Sequence, residues 1–246
     1  MHAKDYESTV DSIKALTFDT GGTVLDWHSG LSNALAGVGQ RHGLARDWAA
    51  ITNDYRARSL RAMFGAGAEA PATFNIDDVH RRILAEIIDE QNLGLFTDDD
   101  RLAIWQTWHE LKCWPDFPDA LARLREKFIV ASFTILSVSL IVDTARRNGL
   151  SWDAVISCEM IGTYKTHPGA YRQAAKWLAL EPGEILMVAC HNVDLNAARK
   201  VGFKSAFVAR PDEWGAAGPP DPTPDSHHDI IAADFPDLVR QLGISM

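Results

Sequence analysis

Asp19 stands where a short apolar run, Ile13 to Phe18, meets two consecutive glycines, Gly21 and Gly22. The run is rich in β-branched and aromatic residues and predicts a buried strand that delivers one carboxylate into a loop. A carboxylate presented in this way can act as a nucleophile. It can equally do no more than cap a turn. The glycines free the backbone to fold around whatever the carboxylate attacks. Three later segments carry further chemistry: Phe128 to Thr134, an apolar run ending in a hydroxyl; Tyr164 to Pro168, containing Lys165; and Glu184 to Asp194, an apolar run leading through Cys190 and His191 to an acid at a helix start.

In this order the four segments resemble the motifs of the haloacid dehalogenase superfamily, and the resemblance runs from about residue 12 to the C-terminus. Four ordered motifs are far more specific than any one of them. The resemblance implies that Asp19 forms a covalent intermediate, that Lys165 neutralises the site's negative charge, and that Asp194 is the acid of the last motif. The superfamily's phosphatases need a second Asp two residues after the nucleophile, and here that residue is Gly21. They also carry an acid four residues before the final one, and here that residue is Cys190. A hard cation such as magnesium wants several oxygen ligands, which glycine and a neutral thiol do not supply. The chain therefore resembles most the 2-haloacid dehalogenases, which need neither metal nor cofactor.

That resemblance implies hydrolysis of small (S)-2-haloacids to (R)-2-hydroxyacids through an aspartyl ester on Asp19. Asp194 would activate water, and Thr23 would add a hydroxyl hydrogen bond. Thr20, Thr134, Tyr171, His191 and Asn192 match positions expected to contact substrate. Dehalogenases of this type also place an arginine, following an aromatic residue, against the departing halide. Tyr55-Arg56 is the match. Apolar residues at 48, 51, 55, 60 and 63 approximate one helical face, with Arg56, Arg58 and Arg61 elsewhere, so a solvated basic face is the plainer alternative. Trp27, Phe64 and Trp114 are candidates for an aromatic wall.

Several positions depart from the dehalogenase pattern. Gly21 stands where a tyrosine is common, Ile135 and Leu136 follow Thr134 in place of Asn and Gly, and Lys165 is followed by Thr166 and His167 with Pro168 one residue late. These changes leave the substrate range open. So do two other readings: a magnesium-dependent small-molecule phosphatase, and a non-catalytic binding protein on this fold.

With 24 basic and 33 acidic residues the net charge is 24 − 33 = −9, so no basic field suits nucleic acid or an anionic membrane. Three cysteines at irregular spacing argue against a disulfide framework and for the cytoplasm. The first residues lack a signal-peptide core, and no apolar run reaches the ~18 residues of a membrane span. His80, His109 and His167 are too scattered for a metal cluster, and Cys190 reads as a buried structural thiol. Asp26 and Glu159 are expected to cap or pair locally.

Helical patterns over 30–42, 46–64, 76–92 and 98–112 follow the first strand, separated by a Gly-rich break at 65–69 and an Asp-rich one at 97–100. From Pro118 strands and helices alternate: strands at 128–134, 154–157, 184–189, 205–209 and 229–232, helices at 119–126, 136–148, 169–179 and 192–201. Residues 211–227 read as a loop. The pattern predicts an α/β fold, a Rossmann-like parallel sheet core formed by 12–26 and 119–246 with an inserted helical cap at 27–118. The resemblance implies a homodimer pairing through cap helices.

Overall fold

The computed structural model describes residues 11–66 and 74–245. Its centre is a six-stranded parallel sheet in the order β3-β2-β1-β4-β5-β6. The strands are β1 (Ala15–Phe18), β2 (Ile129–Thr134), β3 (Ala154–Ser157), β4 (Ile185–Ala189), β5 (Lys204–Val208) and β6 (Ile230–Ala232). Every residue of β1 and β4 is buried. Unbroken burial is what a parallel strand covered on both faces requires. The order reverses between β1 and β4, which opens a crevice at their carboxyl ends. Phe18 lies level with Ser132 of β2 and Val188 of β4, so the loops after these three strands leave the sheet side by side.

Helices α1 (Trp27–Arg41), α2 (Trp48–Ala66), α3 (Ile76–Glu90) and α4 (Asp98–Gln106) lie between β1 and β2 in the chain. They are followed by a 3-10 turn, Thr107–Glu110. α1 packs on α2, and α2 on α3. Helices α5 (Phe117–Arg125), α6 (Val138–Asn148), α7 (Cys158–Ile161), α8 (Pro168–Leu178), α9 (Asn192–Val201) and α10 (Phe235–Gln241) accompany the sheet.

Local signals account for the differences from the expected bounds. α1 starts three residues early because Asp26 accepts a hydrogen bond from the Ser29 amide, which serves an otherwise orphaned donor of the first turn. Glu159 likewise accepts from the Val138 amide at the start of α6. α5 starts at Phe117 rather than 119 with Pro118 in its first turn, where the fixed φ of proline suits a helix. The expected helix over 98–112 tightens to a 3-10 turn after Gln106. Gly65 and Ala66 belong to α2, and the rest of the expected break at 65–69 lies outside the described residues.

Phe18 anchors β1 from below the site. Its ring lies 5.6 Å from Phe117, 5.5 Å from Trp152 and 6.2 Å from Phe235, in edge-on and tilted geometries. Phe18→Ala is expected to cost about 3–4 kcal/mol, because the emptied volume is bounded by rings that cannot collapse. Urea denaturation of parent and variant measures it.

Candidate active site

Asp19 follows β1 directly, and its amide donates to the Val188 carbonyl at 2.9 Å, which holds it at the mouth of the crevice. Its two carboxylate oxygens have different partners. Oδ2 accepts from the Thr23 hydroxyl at 2.8 Å and lies 3.2 Å from His191 Nδ1. Oδ1 accepts from Lys165 Nζ at 3.3 Å. The same ammonium donates to Asp194 Oδ2 at 2.7 Å and sits 4.6 Å from the Phe133 ring centre. Asp194, in the first turn of α9, takes a 2.6 Å hydrogen bond from the Tyr171 hydroxyl on its other oxygen.

Two carboxylates thus share one buried cation. Burial alone would raise the Asp19 pKa, but Lys165 and the bonds from His191 and Thr23 outweigh it and hold this carboxyl well below its usual range. Burial raises Asp194, and Lys165 only partly offsets it, so Asp194 stays above its ordinary value. Burial opposes the charge on Lys165, yet Asp194 and Asp19 overcome this and raise its pKa. The two carboxylates are separated in this way: one is ionised at any ordinary pH, and the other titrates higher.

Arg56, on α2, is only 2 % exposed and reaches the same crevice. Among the described residues its Nε and Nη1 have no hydrogen-bond partner, and Nη2 lies 3.5 Å from the Gly21 carbonyl. The guanidinium carbon sits 5.6 Å from the ring centres of both Trp27 and Trp108. Burial lowers its pKa, partly offset by Glu213 and Asp19, from a starting value high enough to leave it charged. Arg56 is not part of a solvated basic face. Arg58 is, pairing with Asp54 and Glu90. Neighbouring Tyr55 fixes the helix by donating to the His80 carbonyl and accepting from Trp108 Nε1.

The two glycines serve particular side chains. A Cβ on Gly21 would fall 2.7 Å from Arg56 Nη2, so the arginine fills the volume that a side chain at 21 would take. Gly22 has φ +96°, and a Cβ there would run into the Glu213 carboxylate. Gly21→Ala is expected to push the guanidinium aside and lower kcat/KM about tenfold, since small misplacements of a charged group are costly to catalysis. Its melting temperature should stay close to the parent's, because the displaced atom ends a flexible chain.

A cavity of about 260 Å³ lies between these groups, lined by Asp19, Arg56, Lys165, His191 and Asp194 with apolar walls from Leu60, Phe64, Ile135 and Val193. Not every expected contact faces it. The Thr134 hydroxyl accepts from Thr20 at 2.6 Å and from the Leu136 amide, so both threonines brace the loop after β2. Tyr171 bonds Asp194 and lies outside the cavity lining. Asn192 turns away to the Thr223 carbonyl, the Asp225 amide and His228. All four side chains bond within the protein, and none of them lines the cavity. Of the three aromatic candidates, Phe64 lines the cavity, Trp27 backs Arg56, and Trp114 donates to the Gly22 carbonyl away from it.

The loop over 211–227 supplies what the motifs do not show: Trp214, Pro220 and Asp221 line the cavity. Glu213, 2 % exposed, lies 3.0 Å from His191 Nε2 and accepts from Trp27 Nε1 at 3.2 Å. The available signal was positional, since a loop leaving the carboxyl end of a parallel strand is placed to line the crevice. Arg210 pins its start with a bidentate bond to Asp116 and a bond to the Thr23 carbonyl. Cys190 Sγ, His191 Nε2 and a Glu213 oxygen lie within 4.8 Å of one another. Cys190 is buried, with His191 Nε2 beside its sulfur at 3.4 Å. Burial pushes the thiol up to about 11, so it is neutral near neutral pH.

The chain matches the model of the haloacid dehalogenase-like hydrolases over residues 13–202. It is 30% identical over 204 residues to an (S)-2-haloacid dehalogenase of Xanthobacter autotrophicus, covering 80% of this chain and 76% of that one. A solved defluorinating L-2-haloacid dehalogenase superposes with a TM-score of 0.87 at 33% identity, over 94% of this chain and 95% of the other. A second L-2-haloacid dehalogenase structure gives 0.87 at 32%, over 94% and 99%.

Proposed function

Because this chain belongs to the haloacid dehalogenase-like hydrolase family, we propose that it hydrolyses the carbon–halogen bond of small (S)-2-haloacids, giving (R)-2-hydroxyacids. The observation that carries the proposal is one cavity shared by the ionised Asp19 and a buried Arg56, two of whose donors are unfilled among the described residues. An anion that leaves into low dielectric gains from a fixed guanidinium far more than it would in water.

Asp19 attacks C2 from the face opposite the halogen, the carbon–halogen bond breaks with its electron pair, and the halide departs toward Arg56. Attack from the rear inverts the centre. The resulting aspartyl ester is opened by water at Cγ, with Asp194 taking the water proton. The ester oxygen leaves with the product and is protonated, and a second proton is released as Asp19 re-ionises. The sum is haloacid plus water giving hydroxyacid, halide and a proton. A magnesium-dependent phosphatase is less well supported, because Lys165 already bridges the two carboxylates such an ion would need.

In this reading residues 27–118 form the cap, which brings Arg56, Leu60 and Phe64 to a core made of 12–26 and 119–246. No helix among the described residues is long and apolar enough to cross a membrane. We place the protein in the cytoplasm on the strength of its free cysteines. We expect it to pair with a second copy, which light scattering tests.

The experiment is halide release from (S)-2-chloropropionate and chloroacetate in the presence of a chelator, with p-nitrophenyl phosphate as control. Chelator-insensitive halide release is expected. Chelator-sensitive phosphate release without halide would move the chain to the phosphatases. When ester opening limits turnover, the rate should fall as pH drops through the raised pKa of Asp194 rather than through that of Asp19. A pH profile with an acid limb below the usual carboxylate range would contradict the assignment.

A further inference from the structure

We infer that His191, held by Glu213, joins Thr23 in an oxyanion hole on Asp19 Oδ2 that serves opening of the aspartyl ester. The inference rests on the dehalogenase reading. It begins from the asymmetry of the two Asp19 oxygens. Oδ2 has the Thr23 hydroxyl at 2.8 Å and His191 Nδ1 at 3.2 Å, while Oδ1 has, among the described residues, Lys165 alone at 3.3 Å. The oxygen with two donors is the weaker nucleophile, so Oδ1 makes the bond to carbon and Oδ2 becomes the ester carbonyl oxygen. When water adds to Cγ, the carbonyl electron pair moves onto Oδ2, where both donors already point. Collapse breaks the Cγ–Oδ1 bond, and Lys165 stands beside the oxygen that leaves.

Each donor is fixed by a partner of its own. The Thr23 oxygen accepts from the Cys190 amide at 3.1 Å, and its single proton has the charged Oδ2 at 2.8 Å against the Cys190 sulfur at 3.4 Å, which favours Oδ2. His191 Nε2 lies 3.0 and 3.2 Å from the two Glu213 oxygens. With carboxylates at both ring nitrogens, each nitrogen must carry a proton. A neutral ring would turn a lone pair toward one of the anions. Burial opposes the imidazolium, and the groups around it, Cys190, Glu213 and Asp19, outweigh burial and raise its pKa well above the ordinary value. Since Cys190 is neutral near neutral pH, Glu213 and Asp19 carry the effect there. Lys165 faces Asp19 from the far side, Arg56 faces Glu213, and Asp221 lies on the same cavity wall. Once Asp19 is esterified its charge is gone, and Glu213 alone keeps His191 protonated. His191 is then the catalytic donor and Glu213 a positioning residue.

The test uses Glu213→Gln, which is isosteric and can still accept from Trp27, and His191→Ala. Both are mixed with chloroacetate, quenched in acid, and read by mass spectrometry of the peptide bearing Asp19. The expected result is a burst of one halide per site followed by slow turnover, with ester accumulating on Asp19. Removal of an oxyanion donor slows its step by about 10²–10³-fold, so His191→Ala should fall in that range and Glu213→Gln below it. Ester decay should also weaken as pH rises through the His191 pKa, and Glu213→Gln should shift this limb to lower pH, because the imidazolium has lost its last anion. Reduced halide release without ester in either variant, or an alkaline limb unmoved in Glu213→Gln, would overturn the inference. A parent enzyme that releases no halide and forms no ester would instead overturn the dehalogenase reading beneath it.

Discussion

Asp19→Asn is expected to lower halide release by about four orders of magnitude or more and to leave no adduct at residue 19, since loss of a nucleophile removes the covalent path altogether. The amide oxygen is neutral and a poor nucleophile, and the other carboxylates lining the cavity are engaged, Asp221 by the Asn192 amide. Asp194 is held by Lys165 and Tyr171 on its two oxygens, and the Cys190 thiol is pushed up to about 11 by burial. The fold should tolerate the change at a cost of about 1–2 kcal/mol, the scale of a charged hydrogen bond exchanged for a neutral one. Lys165 keeps its shorter partner, and Thr23 can still donate to the amide oxygen. Halide assay, intact mass and a urea titration on one preparation measure all three quantities. A variant that retained a tenth of parental activity would remove Asp19 from the role of nucleophile.

Lys165→Met should damage activity and stability together. Two buried carboxylates would then face each other without their cation, and breaking a buried ion pair from one side costs about 3–5 kcal/mol. The pH dependence gives the signature. In the parent, Asp19 is depressed by Lys165, so its contribution to stability is present above its unfolded pKa and is lost as pH falls through the folded one. Asp194 is raised, so its contribution is present below its unfolded pKa and is lost as pH rises through the folded one. Without Lys165 both carboxyls rise and the pair retains a shared proton. The variant should therefore approach parental stability in acid and fall behind as pH climbs through and above the usual carboxylate range. Urea midpoints at about pH 5 and pH 8 test this, with unfolded carboxylates titrating near 4 as the reference. A constant stability difference across that interval would mean that Lys165 acts through packing alone. Activity near neutral pH should fall by about 10³-fold or more, because a protonated Asp19 cannot attack.

Much of this site is legible along the chain. A buried strand followed by Asp and two glycines, and a final acid after another apolar run, place Asp19 and Asp194 at the carboxyl ends of neighbouring strands, and the resemblance adds Lys165. The alternation of strand and helix predicts the parallel sheet. Such patterns are written in the side chains of near neighbours, because burial on a strand or a helix repeats with the geometry of the element itself. Asp26, as a helix cap, is equally local.

Contacts set by the path of loops are not written that way. Glu213 is 22 residues from His191 and 186 from Trp27, yet it touches both. Only the return of the 211–227 loop across the crevice puts it there. The burial of Arg56 depended on α2 lying over the mouth of β1, and its place depended on the volume left by Gly21. For the same reason the hydrogen-bond partners of Tyr171 and Asn192 were not legible in the chain, since one turn of a side chain decides whether it meets a cavity or the protein. The chain by itself carried the fold and the order of Asp19, Lys165 and Asp194 along it. Tertiary structure alone decided which donors stand on which oxygen, because hydrogen bonds depend on distances of a few tenths of an ångström between segments far apart in sequence.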